Sequence, residues 1–396
     1  MKHPGLTIAS IFILVFIFSV TGCKVPAKNE IHYKIPTQLN DGLQVGDAAR
    51  AGLNTKLLED AAKAIEKGKF REIHSMLIYK AGRLVFEQYF EGHQYQWDAP
   101  KYHGDLVQWS ATMPHPVMSC TKSITSACIG IAIDKGFINS VDQSIFDYLP
   151  NHQHLKTDNK NYITIEHLLT MTSGLAWDEW HAAHGGELTN DYDHLYVVDD
   201  QIKAVLERPW QAAPGEQFIY NGGGIVILGE ILKNATGMNM DAFAAKYLFE
   251  PLGIESAAWW SYPNGRLETA SSLSLTPRDM VKFGVLYLNN GMWNGEQIIP
   301  EEWVEKSATA FHNNSGIKLP IEDSGLNAYG YTWWISELDY KDQKIKMYRA
   351  NGWGGQVIAV VPDLAMVVVF TSGNWATKSK LFALVKRYVL PALNHQ

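Results

Sequence analysis

The stretch SCTKSITSACIGIAIDKG, residues 119–136, decides how the rest of the chain is read. Its second half is almost wholly apolar, so a helix made from it must be buried on every side, and Gly136 ends it. Its first turn holds Ser119 and Lys122. A three-residue spacing puts the hydroxyl and the amine on one helix face. The helix N-terminus carries about half a positive charge, which disfavours an ammonium there and stabilises an anion forming nearby. Burial is expected to push the lysine pKa further down, toward a form that accepts the serine proton. The same residues also read as Ser119 acting as an N-cap and Lys122 as a snorkelling surface lysine. A second S-x-x-K, Ser315 to Lys318, follows Asn313-Asn314 in an expected surface loop, where nothing would desolvate the lysine.

Outward from this helix, Asn54 to Glu66 reads as a helix capped by Asn54. His74–Lys80 and Leu84–Phe90 read as strands around a hairpin at Ala81-Gly82-Arg83. Residues 91–118, rich in His, Trp, Pro and Tyr, read as irregular. Residues 141–260 are mainly helical, with breaks at Pro150, Gly174, Pro214 and Pro251. Three strands are predicted over 345–351, 356–361 and 365–371, then a helix from about Lys378 to Leu393. Strand–helix material at both ends with helices between predicts an α/β (α+β) fold: an antiparallel sheet flanked by helices, with an inserted all-helical region.

Among 396 residues, Lys plus Arg number 34 and Asp plus Glu 41, a formal charge of −7. That balance argues against a nucleic-acid partner, which would demand a basic face. Hydrophobic residues at 46% and charged residues at 19% give enough apolar matter for a large core and too little charge for disorder. The 13 tryptophans suggest an aromatic-lined cleft.

Residues 1–22 read as a lipoprotein signal peptide: Lys2 and His3, an apolar run from Leu6 to Val20, then Val20-Thr21-Gly22-Cys23. That ending resembles a bacterial lipobox, in which Cys23 carries the lipid; a short membrane anchor or an ordinary signal peptide are the other readings. The implied location is the bacterial cell envelope, lipid-anchored, with residues 23–50 as a tether and 51–396 as the folded domain. Its α/β part is expected over about 51–135 and 266–396, and its helical part over about 136–265. Cys120 and Cys128, if on one helix, lie about 12 Å apart, too far for a disulfide. His152, His154, His181 and His184 lack the H-E-x-x-H or C-x-x-C setting of a metal site and read as solvated.

Four segments, SCTKSITSACIGIAIDKGFI (119–138), YITIEHLLTMTSGL (162–175), PGEQFIYNGGGIVILGEIL (214–232) and SLTPRDMVKFGVLYLNNGMWNGEQIIPEEW (274–303), resemble the serine β-lactamase-like family in its own order. That family includes class C β-lactamases, D-Ala-D-Ala carboxypeptidases, β-lactamase-fold esterases and 6-aminohexanoate-dimer hydrolases. The resemblance runs from about residue 70 to the C-terminus. It implies that Ser119 is the nucleophile, Lys122 its proton partner, and Tyr220 a sharer of the base role whose phenol pKa would fall beside the lysine charge. Gly222 stands where the family usually has Asn, and Asn221 is one place early.

The third motif, usually Lys-Thr-Gly or His-x-Gly, corresponds to Arg349-Ala350-Asn351-Gly352-Trp353-Gly354-Gly355-Gln356, which looks like the variant of the esterase branch. A backbone N–H near Gly352 or Trp353, with that of Ser119, would form the oxyanion hole. Without the lysine, a β-lactam carboxylate loses its usual anchor, which Arg349 could partly replace. Residues 175–200, with Trp177, Trp180, Tyr192 and Tyr196, are expected as a lid, Trp177 touching substrate.

The resulting expectation is a cofactor-free, metal-free serine hydrolase acting on an ester or amide. A penicillin-recognising peptidase or β-lactamase, and a lipid-anchored binding module without catalysis, are the alternatives. The residues name neither acyl group nor leaving group.

Overall fold

The computed structural model describes residues 31–157, 159–180, 190–312, 314–320 and 322–393. Helix α1 (Thr55–Glu66) starts where expected, with the Asn54 side chain accepting from the N–H groups of Lys56 and Leu57. Strands β1 (Ile73–Lys80) and β2 (Arg83–Tyr89) follow, joined by a turn in which Ala81 and Gly82 both have positive φ. The stretch read as irregular holds a second hairpin, β3 (Glu91–Tyr95) and β4 (His103–Gln108). Its short, largely exposed strands lack an alternating pattern, so neither composition nor period marked them.

Strands β5 (Ile317–Lys318), β6 (Leu326–Tyr329), β7 (Trp334–Tyr340), β8 (Gln343–Gly352), β9 (Gln356–Val361) and β10 (Met366–Ser372) complete one antiparallel sheet of eight, in the order β2-β1-β10-β9-β8-β7-β6-β5. The last strand pairs with the first, Met76 opposite Phe370 and Ile78 opposite Val368, so the two ends of the domain close the sheet. Every residue of β9 and β10 is buried. Successive side chains point to opposite faces, so unbroken burial means that both faces are covered.

Helix α2 (Cys120–Asp134) is the buried helix, and α3 (Gly222–Thr236) packs against it. The hydroxyls inside α2 are all used: Ser123 donates to the Thr332 carbonyl, Thr125 to Thr269 and Ser126 to Tyr331. A helix rich in Ser and Thr can therefore sit in the core without orphaned polar groups. Helix α4 (Pro277–Leu288) lies on β9 and β10, where a Cβ on Gly284 would come within 2.5 Å of Val367. Both Cys120 and Cys128 are buried free thiols.

The tether expected over residues 23–50 is corrected from Tyr33 onwards. Residues 33–50 belong to the folded body. Gln44 and Gly46 hydrogen-bond to both backbone groups of Leu84, extending the sheet past β2. Leu43 is buried, and Arg278 grips Asp41, the Thr37 carbonyl and Glu87. The segment looked polar because its anchors are one leucine and a set of charged partners distant in sequence. Residues 1–30, with the signal peptide and Cys23, lie outside the described residues.

Candidate active site

Ser119 occupies the N-cap position of α2, yet its side chain makes no capping bond. The turn before it is tight: Met118 has φ +48, and Val117 is pinned by its N–H to the Leu273 carbonyl. A non-glycine residue in that region costs about 1–2 kcal/mol, the kind of strain that concentrates at functional turns. Lys122 Nζ donates to Ser119 Oγ at 2.9 Å and to the Ala270 carbonyl at 3.2 Å. Lys122 is 2% exposed, so the snorkelling reading does not survive. The second S-x-x-K lies on a surface strand, with Ser315 and Lys318 both exposed.

Tyr220 completes the group. Its ring faces the same ammonium, with Lys122 Nζ 5.2 Å from the ring centre, and Tyr220 and Ser119 line one cleft. Tyr220 stands just before α3, its ring stacked between Trp180 and Trp334. Asn221 does not reach the site. Its side chain caps α3 through the Gly224 N–H, and its own N–H points to Met171 Sδ. Where the family's Asn would stand, a Cβ on Gly222 would meet the Tyr192 ring at 2.6 Å and Glu179 at 3.0 Å.

Glu179 escaped the sequence reading, since an isolated loop carboxylate carries no motif. It accepts from the Gly222 N–H at 2.8 Å and from Trp177 Nε1 at 2.7 Å. Trp177, expected to touch substrate, is buried and serves instead to hold Glu179; Trp180 faces the cleft in its place. Of the expected lid, residues 181–189, including His181 and His184, lie outside the described residues. His152, read as solvated, is instead buried and pairs with Asp200 at 2.9 Å.

Both expected pKa directions reverse. Burial alone pushes Lys122 down, but Tyr220, Glu179 and Glu268 outweigh it and hold the lysine above its ordinary value. Burial raises the Tyr220 phenol, and the Lys122 charge opposes without cancelling. Glu179 and Glu268 come from distant loops, and the helix-dipole argument could not include them.

Strand β8 ends at Gly352, paired with Gln356, and Trp353-Gly354-Gly355 turn into β9. All four of Gly352, Trp353, Gly354 and Gly355 line, with Ser119, Tyr220, Trp334 and Trp375, a cleft of about 490 Å³. Gly354 must be glycine twice over: its φ is +82, and a Cβ would sit 2.2 Å from the Trp375 ring. A second cavity, of about 520 Å³, adjoins Ser119 between Tyr95, Trp97, Tyr192, Tyr196 and Trp260. Ser119, Glu179 and Trp353 belong to both. Arg349 does not face either. It is fully buried, ion-paired with Glu322 and hydrogen-bonded to Asn327 and Ser336, so it offers no anchor to a ligand carboxylate.

Comparison with known proteins fits this geometry. The β-lactamase family model matches residues 62–385. An uncharacterised protein of Alkalihalophilus pseudofirmus is 25% identical over 74% of this chain and 82% of its own length. Among solved structures, a protein of Bacillus anthracis described as a 6-aminohexanoate-dimer hydrolase superposes with a TM-score of 0.63 at 22% identity, over 91% of this chain and 87% of the other. A family VIII carboxylesterase does so with a TM-score of 0.62 at 15% identity, over 87% and 98%. With the model spanning four-fifths of the sequence and the fold shared across these structures, the chain belongs to the β-lactamase family of serine hydrolases, which includes esterases, amidases and penicillin-binding proteins.

Proposed function

We propose that the protein hydrolyses an ester or amide through an acyl-enzyme on Ser119. The observation that carries this reading is the bond from Lys122 Nζ to Ser119 Oγ at 2.9 Å, with the Tyr220 ring 5.2 Å from the same ammonium. Loss of one proton from the Lys122/Tyr220 pair creates the base. Ser119 Oγ then attacks the carbonyl carbon, its proton passes to the pair, and the pair returns it to the leaving group. Backbone N–H groups of Ser119 and of the Gly352–Trp353 turn receive the carbonyl oxygen as its charge grows, each worth about 3 kcal/mol. Water then repeats the sequence on the acyl-enzyme. Two cavities that share Ser119 give room for an acyl portion in one and a leaving portion in the other.

The test compares turnover of a short-chain nitrophenyl ester by the chain and by its Ser119→Ala variant. Turnover lost in the variant supports the reading; equal turnover overturns it. A lasting penicillin adduct without ester turnover would redirect it to the penicillin-recognising alternative.

For location, we propose a lipid on Cys23 that holds the chain at the bacterial cell envelope. Among the described residues no helix is long and apolar enough to cross a membrane. Cys23→Ala should move the protein from the membrane fraction to the soluble one; retention on the membrane would refute lipidation as the anchor.

A further inference from the structure

Three side chains that no part of the proposed hydrolytic site uses converge where the β3–β4 hairpin meets the segment before β1. Glu72, just before β1, places Oε1 3.1 Å and Oε2 3.2 Å from His93 Nδ1, and Oε2 3.5 Å from His103 Nε2. One ligand atom from each of the three lies within 4.8 Å of the other two. Donors bound to one tetrahedral zinc at about 2.0–2.1 Å stand about 3.3 Å from each other, so the carboxylate–imidazole spacings already match. We propose that Glu72, His93 and His103 form a binding site for a divalent transition metal, zinc in the first place, which clips the β3–β4 hairpin to the sheet.

The surroundings support a metal over a plain hydrogen-bond cluster. The carboxylate has a built outer shell: His74, wholly buried, meets Glu72 Oε1 through Nε2 at 3.1 Å and is itself backed by His115 at 2.8 Å. Oriented carboxylate ligands of this kind are typical of zinc sites. Space around the carboxylate is kept by two glycines. A Cβ on Gly92 would come within 2.3 Å of His74 and 3.1 Å of Glu72 Oε1; one on Gly373 would come within 2.7 and 2.9 Å of the same two residues.

Access is open, with Glu72 21%, His93 35% and His103 24% exposed, so an ion can enter and a water can take the fourth position. The two imidazoles lie parallel, with centres 4.4 Å apart. Binding therefore requires both rings to turn about χ2 so that their lone pairs converge, and the bond between His103 Nε2 and the Gly373 carbonyl to give way. Two imidazoles and one carboxylate favour zinc over magnesium or calcium, which prefer all-oxygen shells.

The site matters because of what the hairpin carries. Tyr95 and Trp97 form a wall of the second cavity, and Tyr102 lines the first. Fixing residues 93 and 103 to Glu72 fixes that wall relative to β1.

The experiment titrates zinc calorimetrically into the full chain freed of metal by a chelator, beside the His93→Gln and His103→Gln variants. The expected result is one zinc per chain and a melting temperature that climbs with zinc concentration and is indifferent to magnesium. Each variant should lose more than the roughly 10–100-fold in affinity that removal of an outer-shell partner costs. Amides of residues 91–108 should exchange more slowly in zinc, and ester turnover should persist in both variants. Absence of stoichiometric binding, the same affinity in the variants, or binding without added protection of 91–108 would overturn the proposal. Both histidines are partly exposed, so the variants are expected to fold; their melting temperatures without metal check this.

Discussion

Replacing Gly352 by alanine probes whether β8 is packed against the nucleophile turn as closely as the catalytic account requires. The new Cβ would sit 2.2 Å from the Val117 carbonyl oxygen. Carbon–oxygen contacts settle near about 3.3 Å, so roughly 1 Å of separation must be found. Strand β8 cannot supply it easily, because its neighbours Ala350 and Ile358 are fully buried in the sheet. The Val117 carbonyl must yield, and it accepts the Cys120 N–H at 3.2 Å in the same turn that presents Ser119. A misplacement of about 1 Å costs on the order of 100-fold in rate, or about 2.7 kcal/mol of transition-state stabilisation. Overpacking also costs about 1–3 kcal/mol of stability, which a domain of this size tolerates at room temperature. The assay is kcat/KM on a nitrophenyl ester, with a melting curve for each protein. Gly136→Ala is the control: its φ is +74 with nothing within 4 Å, so it should lose stability and keep activity. A folded Gly352→Ala protein with unchanged kcat/KM would refute the claimed packing of β8 on the nucleophile turn.

The remaining predictions concern protons and charge. Because Lys122 and Tyr220 are both held above their ordinary values, the resting pair must lose a proton before it can take one from Ser119. Activity should therefore rise with pH from neutrality into the alkaline range, and a profile that falls over that range would contradict the assignment. Tyr220→Phe keeps the stacked ring but removes the shared proton, so kcat should drop by about 10²–10⁴, measured on the same ester; a loss under tenfold would remove Tyr220 from the relay. Arg349→Met leaves Glu322 buried and unpaired, so unfolding in denaturant should show a loss of about 3–5 kcal/mol, and an unchanged midpoint would show that the pair is dispensable.

Much of this site was legible because its parts are carried by local patterns. Ser119 and Lys122 share one helical turn, Tyr220 precedes a glycine-rich helix start, and Gly352 to Gly355 sit between two apolar strands. What stayed hidden depends on pairing across the chain. Strand β7 alternates buried and exposed residues, but Ser336 occupies an inward position because it bonds to Arg349, and that polar residue breaks the apolar rhythm. Lys101 and Tyr102, both with positive φ, interrupt the β3–β4 hairpin in a way that composition does not announce. Burial lowers the Lys122 pKa, but Tyr220, Glu179 and Glu268 raise it from other parts of the chain, and Trp177 proved to be a support for Glu179. The Glu72, His93 and His103 cluster is likewise spread over three segments with no motif spacing.

The central claim is a covalent acyl group on one hydroxyl. Its most direct test is an acid quench during steady-state turnover of a slowly deacylated nitrophenyl ester, followed by mass analysis of the proteolysed chain. The account predicts the acyl mass on the peptide containing Ser119, at the serine itself, and none in Ser119→Ala. An acyl group found on another residue, or turnover that proceeds with Ser119 never modified, would contradict it.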